Sequence, residues 1–318
     1  KWSTPESKWF VTIEDKATGE QHIQSCKFIH SCAGYYNYDQ GYQPDFEGAD
    51  TFAGDIVHPQ FWPEGLNYEG KKVVVIGSGA TAVTLVPAMA REASQVTMLQ
   101  RSPTYIVARP AEDGFANFTR KFLPAMLAYG LTRWKNVLMG RFFFWMCRKY
   151  PDAVKKRLLD ELPDLLPEGF DIKKHLTPKY NPWDQRVCLA PDGDFFTSIC
   201  DGKADIVTDH IERFTKKGIE LKSGETLEAD VVVSATGLDL NFLGNIQVSV
   251  DGEAVEPGNL LNYKGMMYSG IPNLVASFGY TNASWTLRCD LTSRYLSRMV
   301  NYMDKKGLGR AMPTPDMA

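Results

Sequence analysis

The amino-acid sequence predicts an α/β fold, and three observations support this prediction. Residues 71–76 (KKVVVI) form a short, continuous apolar run, which is typical of a strand buried on both faces. A glycine-rich turn and a helical pattern over 80–93 follow at once, and Gln95–Gln100 then has the pattern of a second strand. Strand, tight turn, helix and strand in this order make a Rossmann-like βαβ unit.

Strand patterns flank this unit on both sides. Residues 8–15 alternate with a period of two, and the segment QHIQSCKFIHSCAG reads as a returning strand pair. Residues 37–66 are rich in Gly, Pro, Asp and Asn and predict an irregular connection. We also expect strands in 205–236, with a hairpin around 222–225, and near 246–250 and 274–278; a last helix should run from about Thr286 to just before Gly307. The predicted domains are 1–66, 67–236 and 237–318, the first and last belonging together.

Composition excludes several classes of protein. The 318 residues include 35 Lys and Arg against 38 Asp and Glu, a net charge of −3, whereas a nucleic-acid binder needs a clearly basic surface. Hydrophobic residues make up 44% and charged residues 23%, which are ordinary values for a globular protein. The chain begins at Lys1, inside a strand pattern, without a recognisable signal peptide. We therefore expect its true start to lie further upstream.

The cysteines and histidines do not form a metal or disulfide pattern. Six cysteines are scattered without a C-x-x-C pair, and the five histidines include no H-x-x-x-H pair. We expect buried free thiols, no metal site and a reducing, cytoplasmic location.

Residues 111–180 predict a helical insertion that is rich in aromatic side chains. Arg133, Lys135 and Arg141 interrupt its apolar runs, so none reaches the roughly 18 residues needed to span a bilayer. A core or lid layer is the first interpretation, and peripheral membrane contact is the alternative.

The turn after the first strand of the βαβ unit fits a dinucleotide-binding loop. Its sequence is Gly77-Ser78-Gly79-Ala80-Thr81-Ala82, which matches G-x-G-x-x-G/A in the strand-to-helix context that supports the motif. Gly77 allows the tight turn, Gly79 lets the backbone approach a pyrophosphate, and Ala82 lets helix and strand pack closely. The helix N-terminus supplies free N–H groups to the phosphates.

The end of the second strand indicates which dinucleotide binds. NAD and FAD sites usually place an acidic residue there, but this chain has Gln100, Arg101 and Ser102. Because Arg101 can pair with a 2′-phosphate through two N–H groups, we predict NADPH. The alternative is that Arg101 is only a solvated surface charge. The sequence contains one dinucleotide-binding loop, and it comes only after a β-meander. This order suits a protein in which an NADPH domain interrupts an FAD domain whose first segment is absent from this sequence.

A twelve-residue segment before the loop carries a more specific signal. Residues 52–63 contain Phe52, Gly54, His58, Trp62 and Pro63 in the pattern F-x-G-x-x-x-H-x-x-x-W-P. This pattern resembles the fingerprint of type I Baeyer–Villiger monooxygenases. The segments GSGATAVTLVP, YNPWDQR (180–186) and GYTNASWTLRCDL (279–291) are similar to the ethionamide-activating branch of that family, and the resemblance covers essentially the whole chain.

The resemblance implies an oxidoreductase that uses NADPH, FAD and O₂. Such an enzyme inserts one oxygen atom into an apolar ketone, or oxidises a sulfur or thioamide compound, through a C4a-peroxyflavin. Arg186 resembles the catalytic arginine of the family, and its fixed positive charge suits an anionic peroxide. The alternative for Arg186 is a structural salt bridge.

The remaining site predictions concern the segments that join the domains. We expect His58 to order the linker rather than to act as a base, and Trp62-Pro63 to pack at a hinge. Thr236-Gly237 resembles the segment where the chain of such enzymes passes back to the FAD domain. Residues 31–35 (SCAGY) resemble the earlier passage between the two domains, with Cys-Ala-Gly in place of the commoner Ala-Thr-Gly. Asn282, Ala283 and Trp285 resemble a flavin-side loop, although Trp285 could equally be a core residue.

Two other functions stay open at this point. One is an N-hydroxylating or generic heteroatom flavin monooxygenase with the same folds, which the 52–63 fingerprint disfavours. The other is an NADPH-binding module without oxygen chemistry, which requires the chain to begin at Lys1.

Overall fold

A computed structural model describes residues 1–280 and 284–315. The chain forms two compact units: residues 1–40 together with the stretch from 238 onward, and residues 41–237. The chain therefore leaves the first unit after Gln40 and returns to it at Leu238.

The first unit begins with four short strands, of which the first three pair antiparallel to one another. They are β1 (Trp2–Ser3), β2 (Lys8–Glu14), β3 (Gln21–Cys26) and β4 (Ile29–Ser31). The β2–β3 hairpin pairs Trp9 with Cys26, and Asp15 closes its turn by accepting a hydrogen bond from the N–H of Ala17 at 2.8 Å. Trp2 and Trp9 are buried with their rings 5.5 Å apart. The strands predicted over 8–15 and 21–34 are confirmed.

The second unit contains ten strands. They are β5 (Asp55–Val57), β6 (Lys72–Ile76), β7 (Gln95–Gln100), β8 (Tyr105–Arg109), β9 (Val187–Pro191), β10 (Ala204–Thr208), β11 (Ile211–Thr215), β12 (Gly218–Leu221), β13 (Thr226–Glu228) and β14 (Val231–Ser234). Five of them form a parallel sheet in the order β10-β7-β6-β14-β5. Its central strands, β6 and β14, are almost entirely buried because elements cover both faces, as their continuous valines predict.

The helices of the second unit follow in chain order. They are α1 (Ala80–Met89), α2 (Gly114–Phe122), α3 (Ala125–Lys149), α4 (Pro151–Asp160), α5 (Ile172–His175) and α6 (Asp194–Cys200). α1 and α6 cover one face of the sheet, where Val86 and Phe195 are fully buried. On the other face, Phe214 and Ile219 from the β11-β12-β13 sheet pack against Val74 and Val232.

Two features of this unit differ from the sequence prediction. The connection predicted as irregular contains β5, in which Ile56 pairs with Val232 of β14. Three residues are too few to show a period of two, so only the partner strand reveals β5. The parallel pair of β8 and β9 was also not predicted, because its strands lie 82 residues apart in register, Tyr105 opposite Val187.

The chain then completes the first unit. It adds β15 (Val248–Val250), β16 (Glu253–Val255), β17 (Asn262–Tyr263), β18 (Met267–Tyr268), β19 (Leu274–Ala276) and α7 (Trp285–Lys306). β15 pairs in parallel with β1 and β19 with β4, so the two halves of the unit share two sheets. α7 ends before Gly307, as predicted, and Gly307 caps it in the left-handed conformation. Within residues 1–280 and 284–315, no helix is long and apolar enough to cross a membrane.

Candidate functional site

The loop between β6 and α1 requires glycine at its first position. Gly77 has a φ of 126°, and a Cβ atom there would lie 2.5 Å from the carbonyl oxygen of Ala235, which directly follows β14. Its N–H donates to the carbonyl of Leu99 at 2.8 Å, which fixes the turn against β7. Only a residue without a side chain fits this position.

Gly79 lies in a different environment. It is the N-cap of α1 with an extended backbone, no side chain caps the helix, and a Cβ atom there would meet nothing within 4 Å. The first N–H groups of α1, beginning at Ala80 and Thr81, therefore face open space, and these residues are exposed. Ala82 is fully buried in the core of the unit. This arrangement can receive a phosphate at the helix N-terminus.

The end of β7 lies beside this loop. The hydroxyl of Ser78 donates to the carbonyl of Ser102 at 3.1 Å, which joins the glycine-rich turn to the residues after the strand. Arg101 and Ser102 are both exposed. Arg101 is thus an exposed residue on the segment that this hydrogen bond joins to the loop before α1, and its guanidinium can pair with a 2′-phosphate.

Gln100 has an internal role instead. It is 1% exposed, and its amide donates to the hydroxyl of Thr208 at 2.9 Å and to the carbonyl of His175 at 2.6 Å. The Nδ1 atom of His175 lies 2.8 Å from the same hydroxyl. Burial lowers the pKa of His175. Sequence reasoning missed this buried cluster, because no local pattern joins residues that lie 75 and 108 positions apart.

The 52–63 fingerprint begins in the core of the unit. The ring of Phe52 packs against Phe214 at 6.0 Å. A Cβ atom on Gly54 would lie 2.1 Å from the carbonyl oxygen of Asp230, the residue before β14, so this close approach of two backbone segments needs glycine. Trp62 and Pro63 are exposed at the end of the segment. The first half of the fingerprint is therefore structural.

His58 uses both ring nitrogens. Its Nδ1 accepts from the N–H of Gln60 at 3.2 Å, and its Nε2 lies 3.1 Å from the carbonyl oxygen of Gly237. Because a carbonyl only accepts, Nε2 carries the hydrogen and the ring is the neutral Nε2–H tautomer. The ring also lies against Gly41, where a Cβ atom would be 2.1 Å from Cε1. His58 thus contacts both Gly41 and Gly237, the first and last residues of the unit.

A second contact joins the same two chain segments. The hydroxyl of Thr236 donates to the carbonyl of Tyr42 at 2.7 Å and lies 3.0 Å from the hydroxyl of Ser234. Gly237 follows with a φ of 115°, a conformation that side chains rarely adopt. His58 and Thr236 therefore connect the first residues of this unit, Gly41 and Tyr42, to its last residues, Thr236 and Gly237.

Arg186 is at the end of a tight turn that precedes β9. Asn181 and Asp184 close the turn, the N–H of Asp184 donating to the carbonyl of Asn181 at 3.0 Å. The carboxylate of Asp184 pairs with Arg148 of α3 at 2.6 Å. Arg186 itself is exposed. The carboxylate of this turn is thus paired with Arg148 and not with Arg186.

The first unit contains the remaining predicted residues. Tyr35 stacks on Trp285 with ring centroids 5.1 Å apart, and both contact Phe278, so Trp285 belongs to an aromatic cluster. In the 31–35 segment, Ser31 is buried at the end of β4, and the thiol of Cys32 is 3.8 Å from Nε2 of His30. Asn282 and Ala283 lie outside the described residues.

The structure thus brings the predicted residues together in two groups within the second unit. The 77–82 loop lies beside 101–102, and His58 lies beside 236–237. The functional roles of all these residues stay predictions.

Two curated relatives match nearly the whole chain. FAD-containing monooxygenase EthA of Mycolicibacterium smegmatis is 51% identical over 313 residues, which is 98% of this chain and 63% of the relative. Probable FAD-binding monooxygenase AlmA of Acinetobacter baylyi is 50% identical over 316 residues, with shares of 99% and 63%. The chain therefore spans less than two thirds of the length of these curated relatives.

Solved structures show the fold. A complex of OTEMO with FAD and NADP has a TM-score of 0.74 at 22% identity, covering 98% of this chain and 67% of that one. An open structure of cyclohexanone monooxygenase has a TM-score of 0.73 at 20% identity, covering 96% and 68%. The predicted fold class, that of two-dinucleotide-binding flavoproteins, is confirmed. The model of the FMO-like family, described as flavin-binding monooxygenase-like, matches residues 3–269, and together with the 51% identical relative it shows that the chain belongs to this family.

Proposed function

We propose that this chain is part of an NADPH- and FAD-dependent monooxygenase that oxidises small apolar ketones or sulfur compounds. In this reaction one atom of O₂ enters the substrate, the other leaves as water, and NADPH supplies two electrons. A ketone becomes an ester, and a thioether or thioamide becomes its S-oxide. The names of the relatives, FAD-containing monooxygenase and cyclohexanone monooxygenase, support this class of reaction.

The observation that carries the proposal is the open N-terminus of α1 beside Arg101. Gly79 leaves room for a pyrophosphate against the helix N–H groups, and the Ser78–Ser102 hydrogen bond holds the β7 end next to them. No carboxylate follows β7 that could repel a 2′-phosphate. These residues fit NADPH better than NADH, and Gly77 to Ala82, Arg101 and Ser102 would hold it.

We assign the unit of residues 41–237, with the helical insertion at about 111–180, to the NADPH domain, and residues 1–40 and 238–318 to the FAD domain. The boundary expected at residue 66 moves to Gly41, because β5 pairs with β14 in the parallel sheet of the second unit. FAD, when bound, accepts electrons from NADPH and reacts with O₂. Of this chain, Thr236, Gly237 and Asn282 would contribute to the cofactor sites.

Arg186 would supply a fixed positive charge to the reacting oxygen. Since Asp184 is engaged by Arg148, the nearest carboxylate in the turn does not need Arg186 as its partner. A guanidinium stays protonated at every working pH, so it can stabilise negative charge that develops during oxygen transfer. His58, with both nitrogens engaged, would order the linker rather than transfer a proton. We place the protein in the cytoplasm, where NADPH and free thiols occur together.

The test uses the full-length protein, purified and examined by absorption spectroscopy in air. We expect flavin bands that NADPH bleaches, and formation of an ester from a cyclic ketone or an S-oxide from a thioether. Arg186→Ala should lose product by about 100-fold or more while NADPH oxidation continues. Arg157→Ala, an exposed arginine of α4, is the matched control and should keep full product formation.

Other outcomes identify the alternatives. A full-length protein without flavin would contradict the enzyme proposal and leave an NADPH-binding module. Products formed only from amines would favour an N-hydroxylating enzyme. Equal product formation by the Arg186→Ala and Arg157→Ala variants would remove Arg186 from the mechanism.

A further inference from the structure

In the hairpin of α2 and α3, small side chains are buried and many large apolar side chains are exposed. Where the two helices bury surface, the residues are small: Ala116, Thr119 and Ala128. The hydroxyls of Thr119 and Thr132 lie 3.5 Å apart across this contact. Small residues let two helices approach closely, as in membrane helix pairs, and leave the large side chains outside.

The outward faces of both helices are apolar. Many of the exposed large residues recur at intervals of three or four positions and share one face of each helix; they are Phe115, Phe118 and Phe122 in α2 and Leu127, Leu131, Trp134, Leu138, Phe142 and Trp145 in α3. Met126, Tyr129, Met139 and Phe144 of α3 are exposed as well, outside this series. At about 1.5 Å per residue, the 25 residues of α3 extend this surface over roughly 37 Å. An apolar surface of this size normally has a partner.

The charge of the hairpin indicates the partner. Residues 114–149 contain seven basic residues and no acidic one, although the whole chain has a net charge of −3; the basic residues are Arg120, Lys121, Arg133, Lys135, Arg141, Arg148 and Lys149. Lys135 pairs with Asp113 and Arg148 with Asp184, whereas Arg120, Lys121, Arg141 and Lys149 are exposed.

The basic and aromatic side chains also lie next to each other. The ammonium of Lys149 is 5.1 Å from the ring centroid of Trp145, and that of Lys121 is 5.6 Å from the ring of Phe122. Such pairs suit the boundary between lipid headgroups and acyl chains, where tryptophan is enriched and long cationic side chains extend to phosphate.

We propose that the α2–α3 hairpin binds the surface of an anionic lipid bilayer, lying in the interface with its apolar face inserted. Within the described part of the chain no helix is suited to crossing the membrane, which agrees with a helix pair that lies in the interface plane. A second copy of the chain is a poorer partner, because two faces without a single acidic residue repel each other. Binding would bring the enzyme to apolar compounds dissolved in the bilayer.

The experiment is co-sedimentation of the full-length protein with vesicles. Vesicles of dioleoylphosphatidylcholine with about 30% dioleoylphosphatidylglycerol should bind at least about tenfold more protein than the neutral lipid alone. Raising NaCl from about 0.1 M to about 1 M should weaken binding, because the Debye length shortens from about 10 Å to about 3 Å.

Two variants test the face itself. Leu131→Glu with Leu138→Glu places carboxylates on the apolar face, and Arg141→Glu with Lys149→Glu reverses two exposed charges; each pair should reduce binding about tenfold or more. Ile23→Glu is the control, since Ile23 on β3 is 72% exposed and lies outside the hairpin. The binding assay needs no flavin, so its outcome is separate from that of the proposed reaction.

The proposal is overturned if the wild-type protein does not co-sediment with anionic vesicles, or if the Ile23→Glu variant loses as much vesicle binding as the α3 variants do. A dimer that Leu131→Glu with Leu138→Glu dissociates, without any vesicle binding, would assign the face to a second copy. Burial of Trp134 in the full-length protein would assign the face to the rest of the chain; it would be seen if the Trp134→Phe variant and the wild-type protein lost the same amount of tryptophan fluorescence to an aqueous quencher.

Discussion

α1 and α3 belong to the same unit and are both rich in apolar residues, yet the structure uses them in opposite ways. α1 has 10 residues and buries Ala82, Val83, Val86, Pro87 and Met89 against the parallel sheet. α3 has 25 residues and buries only Ala128 and Cys147. Apolar composition therefore does not by itself identify the core of this unit.

The difference has a physical reason. α1 follows β6 directly through a three-residue turn, so it must lie on the sheet, and small residues such as Ala82 permit close packing. α3 follows α2 and packs along that helix, and only its C-terminal end, with Phe143, Met146 and Cys147, packs against the β8–β9 pair, so most of its large side chains have no sheet to cover. Residues in α1 should therefore contribute to the free energy of folding, whereas those on the outer face of α3 should contribute to binding.

The largest expected effect comes from a pair of identical substitutions in the two helices. Met89→Ala in α1 removes a side chain that is 2% exposed and should lower the free energy of unfolding by about 2–5 kcal/mol. Met139→Ala in α3, where the side chain is 61% exposed, should change it by less than about 0.5 kcal/mol. Urea denaturation of both variants measures this. Equal losses would mean that α3 is part of the core.

A second pair separates folding from nucleotide binding within the loop that starts α1. Gly77→Ala forces a Cβ atom to 2.5 Å from the carbonyl oxygen of Ala235 at a φ of 126°, and should cost roughly 2 kcal/mol or more of stability. Gly79→Ala meets no atom within 4 Å and should fold normally.

The same pair has a binding readout. The new methyl group of the Gly79→Ala variant would lie in the space proposed for the pyrophosphate, so its affinity for NADP⁺ should fall about tenfold or more. Thermal denaturation and titration calorimetry on one preparation give both values. A Gly79→Ala variant that binds NADP⁺ normally would place the phosphates elsewhere.

A smaller effect should come from pH. The pKa of His175, lowered by burial, lies below its value in the unfolded chain, so the unfolded state takes up the proton first as pH falls. This group therefore stabilises the fold above its unfolded pKa, and that contribution is lost as pH falls below about 6.5. In the hairpin, Lys135 holds the pKa of Asp113 at about 2, so this carboxylate stays ionised over the same range.

Urea unfolding at about pH 7.5 and about pH 5.5 measures the contribution of His175. The wild-type protein should lose more stability between the two pH values than the His175→Gln variant does. An identical loss in both proteins would show that the buried cluster of Gln100, His175 and Thr208 does not titrate in this range.

Much of the fold could be predicted from the sequence because it depends on local patterns. The buried run at 71–76, the glycine-rich turn and the period of α7 each specify an element within a few residues. β5, β8 and β9 could not be predicted, since each is short and defined by a partner far along the chain. The candidate site divides in the same way. The loop at 77–82 was evident, but the hydrogen bond from His58 to Gly237 and the inward position of Gln100 depend on contacts between residues 75 to 179 positions apart.

Binding of NADP⁺ and NAD⁺ to the full-length protein shows whether Arg101 selects NADPH through its 2′-phosphate, with wild type, Arg101→Ala and Arg91→Ala compared. Arg91 is an exposed arginine just beyond the other end of α1 and serves as the matched control. Loss of a guanidinium–phosphate pair should weaken NADP⁺ binding about 10- to 100-fold in the Arg101→Ala variant. Its NAD⁺ affinity, and both affinities of the Arg91→Ala variant, should stay within about twofold of wild type. Unchanged NADP⁺ affinity in the Arg101→Ala variant, or wild-type protein that binds NAD⁺ as tightly as NADP⁺, would show that Arg101 does not hold a 2′-phosphate.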